Sequence, residues 1–432
     1  MERTLNKTLP GRVGQRVQIA GWLHNLRRLG QVNFLFVRDR TGVAQVVLND
    51  AELEPLRGLQ HETVLEVEGD VQEGPTALGV ELHKAEVRVL SAVTDPLPFD
   101  LSKPELKASL PVFLDNAVVG HRHPRRRAVL SLAAGLMEGF RAALGQRGFT
   151  EIQTPKLVAS ATESGATVFP VRYFETTTYL AQSPQFYKQI MVGVFERVFE
   201  VGPVFRAEPH KTSRHVNEYV SLDAEMGFIR DHFDVMALLN GLVGDMIQHL
   251  GDHYADALKL LDVTLPVVPP AIPWLYFPEA QKLLEGKLGL THVIGEPDLA
   301  PEHERALGRW AKEEHGSDYL FVTGYPMVKR PFYSHPHPAD PRYSNSFDLL
   351  FRGLELVTGG QRLHRYEDYR QAAVAHHLNP DAFREYFQAF QYGMPPHGGF
   401  GMGLERFLAS LLETANIQEV TLFPRDMERL RP

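Results

Sequence analysis

Residues 397–407 read HGGFGMGLERF, a glycine-dense run that passes directly into an apolar helical pattern with Arg406 in its first turns. Glycines let a backbone come close to a bound molecule, and a helix start beside a guanidinium offers positive field to phosphate. Alone, the stretch is equally a glycine-rich turn ahead of a surface helix. Working outward, two upstream segments bear on that choice.

NSFDLLFRGLELVTGGQRLHR (345–365) has a turn at Arg352–Gly353 that pairs Leu350 with Glu355 and leaves Asp348 on the same face as a diagonal neighbour. Two carboxylates so placed suit Mg2+, which takes oxygen ligands and keeps waters and substrate phosphates; Thr358 adds a hydroxyl. A solvent-facing acidic pair would read the same way. The following TGGQR brings backbone and Arg362 toward the same pocket.

RVFEVGPVFRAEPHKTSRHVNEYVSLDAEMGF (197–228) reads as two strands joined by a charged loop at about 207–217 that carries Lys211, Arg214 and His215. Period two places Arg206 and Glu208 on one face of the first strand, and Tyr219, Ser221, Asp223 and Glu225 on one face of the second. Acids, an arginine and an aromatic ring do not make a dry core unless they are paired or bound to a ligand. The expectation is a ligand-binding floor, with a solvated sheet face as the alternative.

Farther upstream, apolar residues from Val129 to Leu144 recur at helical spacing from Pro124 on, closed by Gly145 and Gly148. GFTEIQTPKL (148–157) follows as a strand ending at Pro155. ASATESGATVFPV (159–171) is a polar, small-residue loop with Glu163, suited to a flap. AQSPQFYKQI (181–190) offers Gln185 and Lys188, neighbours if helical, on what is otherwise a surface helix. The histidines of YSHPHPAD (333–340) lack further ligands and read as loop. Residues 14–92 hold five short alternating strands, a count that suits an oligonucleotide-binding barrel. A proline-rich connector separates them from an α+β region dominated by antiparallel pairing.

The 432 residues carry a net charge of −8, which argues against indiscriminate nucleic-acid coating, yet residues 1–40 hold Arg3, Lys7, Arg12, Arg16, Arg27, Arg28, Arg38 and Arg40 against Glu2 and Asp39. The chain has no cysteine, which excludes disulfides and thiolate zinc sites. Its N-terminus lacks a signal-peptide core, and no run is expected to reach membrane-spanning length, so a soluble cytoplasmic protein with no membrane association is predicted.

Together these segments resemble the three signature motifs of class II aminoacyl-tRNA synthetases: residues 128–155 ending in Pro155, 198–226 with Arg206 in FRAE, and 399–407 with Arg406 in GLER. The N-terminal GWLHNLRRLG, FLFVRDRTG and QVV resemble the anticodon-binding barrel of the subgroup charging Asp, Asn and Lys. Nearly the whole chain is similar to the aspartyl members of compact, archaeal-like type. The resemblance implies an OB-fold anticodon-binding domain over 1–97, a linker over 98–124, and a class II antiparallel-sheet catalytic domain over 125–432 with a helical insertion at about 228–320.

It also implies ATP-dependent aspartylation of tRNA through an aspartyl-adenylate. Arg206 and Arg406 take the catalytic role on the α- and γ-phosphates. Glu208 and Tyr219 hold adenine, Arg214 and His215 reach the terminal phosphates, and Asp348, Glu355 and Thr358 hold Mg2+. Lys188 and Arg362 face the side-chain carboxylate of L-aspartate, while Glu163, Gln185, Asp223 and Thr358 surround the rest of it. In the barrel, Phe34 stacks on the central anticodon base with Arg27 and Gln45 beside it, and His24 and Pro75 lie where relatives differ in reading the third base. The partners implied are tRNA(Asp) and, for a non-discriminating member, tRNA(Asn), with a homodimer through the helix and strand that end at Pro155. A strictly tRNA(Asp)-specific enzyme and an asparaginyl enzyme are the alternatives. An asparagine-forming relative would lack the barrel, and a non-catalytic descendant would not keep Arg206, Asp348, Glu355 and Arg406.

Overall fold

The computed structural model describes residues 2–30, 32–159, 168–209 and 212–432. The chain divides into two compact units, residues 1–127 and 128–431.

In the first unit, β1 (Arg16–Leu29), β2 (Val32–Arg38), β3 (Val43–Leu48), β4 (Val64–Glu73) and β5 (Val80–Ser91) close a barrel in the order β1-β2-β3-β5-β4. Alternation is the cause. Ile19 and Leu23 of β1, Leu35 and Val37 of β2, and Val46 and Leu48 of β3 point inward and are sealed from water. The residues between them face outward. β1 is long, running to Leu29 with a bulge between Leu23 and Asn25.

The second unit contains β6 (Thr150–Glu151), β7 (Leu157–Val158), β8 (Pro170–Tyr173), β9 (Thr176–Leu180), β10 (Arg197–Phe205), β11 (Glu218–Gly227), β12 (Trp274–Tyr276), β13 (Tyr319–Thr323), β14 (Ser346–Phe351), β15 (Leu354–Gln361) and β16 (His397–Gly403). Eight of these make one sheet in the order β12-β13-β14-β15-β16-β11-β10-β6, and β7-β9-β8 make a smaller one. Pairing in the large sheet is antiparallel except at its two edges, β12–β13 and β10–β6.

One face of this sheet is apolar. Phe199, Leu222, Phe347, Leu349, Val357 and Phe400 pack in one core with Leu132, Leu136 and Phe140 of helix Pro124–Gln146 and Leu239, Leu242 and Met246 of helix His232–His253. Each such burial contributes on the order of 1.5–3 kcal/mol. The opposite face is therefore left for polar chemistry.

Several expectations are corrected by the structure. Helix Pro124–Gln146 is, by length and composition, apolar enough to cross a membrane, but half of its apolar window is buried in the protein and its apolar stripe belongs to the core. The strand expected to run to Pro155 is only two residues long, because the chain leaves the sheet edge after Glu151. β10 ends at Phe205, so Arg206 and Glu208 lie beyond it in the connecting loop. The stretch expected as a helical insertion also supplies β12 to the sheet and leads into β13, and its first helix packs in the main core. Glu163 and Lys211 lie outside the described residues.

Candidate active site

The polar face of the sheet is built around β16, which is a central strand rather than a turn. Its register sets Gly399 beside Glu225, Gly401 beside Asp223 and Gly403 beside Ser221, with Gly360 and Thr358 on the other flank. A Cβ on Gly399 would overlap Ala224 O and Glu225 Oε2; one on Gly401 would come within 3.1 Å of Asp223 Oδ1. The glycines thus cut a trough in which the side chains of β11 lie across bare backbone. Above it is a cavity of about 400 Å3.

At one end stands Lys188, in the first turn of helix Gln185–Phe195 and only 1% exposed. Its Nζ donates to Asp223 Oδ1 at 2.9 Å and Phe400 O at 2.9 Å, and lies 3.4 Å from Glu225 Oε2. Asp223 Oδ2 accepts a short hydrogen bond from Ser221 Oγ. Arg362 donates through Nε to Glu225 Oε1 at 2.9 Å and through Nη2 to Gly399 O at 3.0 Å. Burial alone would raise the Glu225 carboxyl, but Arg362 and Lys188 outweigh it and hold it below the usual range. Two cations and two carboxylates are thus sealed together at this end of the cavity.

A buried network fixes the neighbouring amide. His397 Nδ1 is 2.9 Å from Pro395 O, which only accepts, so Nδ1 carries the proton. Burial holds this imidazole down to about 4, so it is neutral and Nε2 accepts from Gln189 Nε2 at 2.9 Å. Gln189 Nε2 also donates to Tyr369 OH, and its Oε1 accepts from Tyr386 OH at 2.8 Å and from Gln185 Nε2 at 2.9 Å. Gln185 is left with its carbonyl oxygen for the cavity it lines.

The other end is basic. Arg206, Arg214, His215 and Arg406 line it with Glu208, Tyr219 and Glu355. The Arg206 guanidinium lies 5.8 Å from the Tyr219 ring centroid. His215 is lowered, by burial first and by Arg406, Arg206 and Arg214, against the opposing pull of Glu208 at 3.6 Å. Arg406 Nη1 donates to Glu355 O at 3.0 Å. Thr358 donates to Glu355 Oε1 at 2.9 Å.

Asp348 does not line the cavity; it lies one layer beneath. Leu350 pairs with Glu355 as expected, but a bulge between Leu349 and Leu350 sets Asp348 directly opposite Thr358. Arg330 Nη2 donates to Asp348 Oδ2 at 3.0 Å, while the buried Oδ1 has no hydrogen-bond partner of good geometry. Burial raises this carboxyl to about 6, with Glu355 adding to the rise and Arg330 opposing it. Glu355 opens on to the cavity with 37% of its side chain exposed; burial alone would raise its carboxyl, but Arg406, the Thr358 hydroxyl, Arg330 and Arg206 together hold it low. An orphaned carboxylate oxygen beside a second carboxylate and a hydroxyl fits a divalent cation whose remaining ligands come from substrate and water. Among the described residues no group of three or more His, Cys, Asp or Glu is placed to hold a metal alone.

Of the residues expected from sequence, the cavity thus gathers Gln185, Lys188, Arg206, Glu208, Arg214, His215, Tyr219, Asp223, Glu355, Thr358, Arg362 and Arg406. Sequence reasoning missed the roles of Glu225 and Arg330 as charge partners, although Glu225 was placed on the right face. It also missed Glu304, whose Oε2 accepts from Glu355 N and whose carboxyl is pushed up to about 7 by burial and Glu355. Arg330 sits in a loop without periodicity and Glu304 on a helix that reads as solvated, so neither carried a signal.

In the barrel, Arg27 pairs with Phe34 across β1–β2 and Gln45 with Phe36 across β2–β3, all facing outward. The Arg27 guanidinium is 5.1 Å from the Phe36 ring centroid. Gln45 Nε2 donates to Glu81 Oε2 at 2.7 Å, leaving its carbonyl outward. His24 is the extra residue of the β1 bulge, and burial and Arg38 hold it low. Pro75 is exposed in the β4–β5 turn.

Residues 110–427 match the family of class II tRNA synthetases (D, K and N), and residues 17–90 match the OB-fold nucleic-acid-binding domain. The chain is 47% identical over 431 residues to the aspartate–tRNA(Asp/Asn) ligase of Thermus thermophilus, covering 100% of both. It is 46% identical over 438 residues to the protein of the same name from Deinococcus radiodurans, covering 100% of this chain and 99% of that one. Among solved structures, the asparaginyl-tRNA synthetase from Pyrococcus horikoshii complexed with asparaginyl-adenylate matches with a TM-score of 0.92 at 31% identity over 100% of both chains.

Proposed function

The chain belongs to the class II tRNA synthetases of the Asp, Lys and Asn group, and from that premise we propose that it is an ATP-dependent aspartate–tRNA ligase that charges both tRNA(Asp) and tRNA(Asn). The observation that carries the choice of aspartate is Lys188, buried at the cavity wall and paired with Asp223 and Glu225 beside Arg362. An aspartate side chain entering there meets two cations. Asparagine would bring no charge and would turn an NH2 donor toward two cationic donors, a mismatch of several kcal/mol. The name aspartate–tRNA(Asp/Asn) ligase, carried by the 47% and 46% identical relatives, supports the wider tRNA range.

In this reading Gln185 Oε1, Asp223 and Glu163 receive the α-ammonium, and Tyr219 stacks on adenine while Glu208 reads its amino group. Arg206 grips the α-phosphate and the reacting carboxylate; Arg214, His215 and Arg406 neutralise the terminal phosphates. The substrate carboxylate is already ionised at neutral pH, so no general base is required. It attacks the α-phosphorus in line, the α–β bridge breaks, and pyrophosphate leaves. Acceleration comes from positioning and from charge neutralisation by fixed guanidinium groups. Magnesium held by Asp348 and Glu355, with Thr358 nearby, would add positive charge against the phosphates. The adenylate then passes its aspartyl group to the terminal ribose hydroxyl of the tRNA.

Phe34, Arg27 and Gln45 form the anticodon-reading face, with His24 and Pro75 as the positions tuning the third base. A homodimer through helix Pro124–Gln146 and the chain up to Pro155 completes the assembly, and the cytoplasm is its location.

The test is charging of purified tRNA(Asp) and tRNA(Asn) with labelled aspartate and labelled asparagine. Aspartate is expected on both tRNAs and asparagine on neither. Asparagine transfer would refute the assignment of Lys188; aspartate on tRNA(Asp) alone would refute the wider range.

A further inference from the structure

Beside the candidate active site lies a second cavity of about 650 Å3, which shares Arg214 and Arg406 with it. We propose that this second cavity is a binding site for condensed phosphate, pyrophosphate first, reached from the active site past Arg406. The route rests on the first cavity being the ATP site; the anion binding itself does not.

Its charge is the first argument. Arg214, Arg305, Arg309, Lys312, Arg352 and Arg406 line it, against two acids, Asp318 and Glu413. Both acids are engaged: Asp318 with Lys312 at 3.0 Å and Glu413 with Arg352 at 2.9 Å. Arg406 reaches Glu355 at 3.7 Å. Arg305 and Arg309 have no ion pair among the described residues. Cations gathered on a concave wall repel one another unless an anion joins them.

Placement is the second. Arg305, Arg309 and Lys312 fall on one face of helix Pro301–His315. That helix sits directly on the β14–β15 turn, where a Cβ on Gly308 would lie 2.5 Å from Gly353 Cα. Only two glycines permit so close a crossing, and it brings the basic stripe to the cavity that holds Arg352 and Arg406.

The lining also selects the ligand class. No aromatic side chain lines this cavity, so it has no platform for a base, unlike the first cavity with Tyr219 and Tyr333. Several guanidinium groups without an aromatic wall suit a compact polyanion, since each can fork on to phosphate oxygens. A product leaving the α-phosphorus would be drawn away from the adenylate, which opposes reversal of the step.

Titration of the full-length protein with inorganic pyrophosphate, with and without an ATP analogue whose α–β bridge cannot be cleaved, tests this. Two equivalents are expected, one displaced by the analogue and one retained. The double variant Arg305→Ala/Arg309→Ala, on exposed helix positions, should bind the retained equivalent at least about tenfold more weakly. The variant Lys259→Ala/Arg384→Ala, with the same loss of charge elsewhere, should not. A single, displaceable equivalent unaffected by the double variant overturns the proposal, as does equal weakening in both variants. So does a short RNA duplex that depends on Arg305 and Arg309 where pyrophosphate does not. If the analogue displaces neither equivalent but the double variant still weakens one, the ATP reading of the first cavity fails and this site stands.

Discussion

Lys188 Nζ and Asp223 Oδ1 stand 2.9 Å apart with 2% and 4% of their side chains exposed. A charge pair so enclosed is weak evidence of stability, but it makes each partner costly to remove alone. Asp223 therefore holds the lysine in place as well as facing the ligand, and Glu225 does the same for Arg362 at 2.9 Å.

Replacing Lys188 by Met should leave two buried carboxylates to one remaining cation. We expect a loss of about 3–5 kcal/mol in denaturant unfolding, together with a fall of at least about a hundredfold in aspartate-dependent pyrophosphate exchange. Adding Asp223→Asn should restore much of the stability and none of the aspartate activation. Recovery of both would mean that the lysine is structural and does not read the substrate.

The Gln189 network predicts a separate effect on the amino acid. Gln189→Leu frees the Gln185 amide to rotate and should raise the aspartate KM by about tenfold, the value of one or two hydrogen bonds, while the ATP KM is unchanged. His397 gives the network a pH signature. Unfolded, an imidazole takes a proton below about 6.5; in the native state this one does so only near 4. Between those values the unfolded chain binds more protons, so native stability is lost as pH falls from 6.5 to 4, on the order of 3 kcal/mol from this residue. His397→Gln keeps an acceptor toward Gln189 and removes the titration. The stability of the wild type relative to His397→Gln should therefore fall by about 3 kcal/mol as pH is lowered from 6.5 to 4; parallel curves would contradict the neutral, buried assignment.

Asp348 titrates in the opposite sense. Its carboxyl is raised to about 6, so the native protein holds this proton in a range where the unfolded chain has released it. The stabilisation is complete below about 4 and is lost as pH rises through 6. A divalent cation must displace that proton, so the Mg2+ requirement of pyrophosphate exchange should steepen toward tenfold per pH unit below about 6 and flatten above it. Asp348→Asn should lower exchange by about a hundredfold and abolish the pH dependence of the remainder. A Mg2+ requirement that does not change between pH 5 and 7 would remove Asp348 from the metal site.

The sequence was legible where a periodicity met a single environment. The five barrel strands follow from alternation because one face is core, and β11 showed its polar face for the same reason. The Leu350–Glu355 pair followed from the turn at Arg352–Gly353, yet the bulge that turns Asp348 to oppose Thr358 leaves no mark in residue order. The glycine run was read for close approach to a ligand, but what it first admits is protein, the side chains of Glu225 and Asp223. Arg330 and Glu304 reach the site from segments distant in sequence, and only the tertiary fold makes them neighbours of Asp348 and Glu355.

The barrel offers the cleanest separation of binding from chemistry. Phe34 lies on the outward face beside Arg27, and Gln45 has its NH2 tied to Glu81, so its free carbonyl can accept from a base. An unstacked base resting on Phe34 is worth roughly 1–3 kcal/mol. Phe34→Ala should therefore lower kcat/KM for full-length tRNA by about ten- to a hundredfold, while pyrophosphate exchange without tRNA is unchanged. Phe34→Trp should retain most of the wild-type value, because a larger ring still stacks. A minihelix carrying only the acceptor arm has no anticodon to place there, so its charging should not respond to either substitution. Equal losses on the minihelix would show that Phe34 supports the fold of the barrel and that the anticodon is read elsewhere.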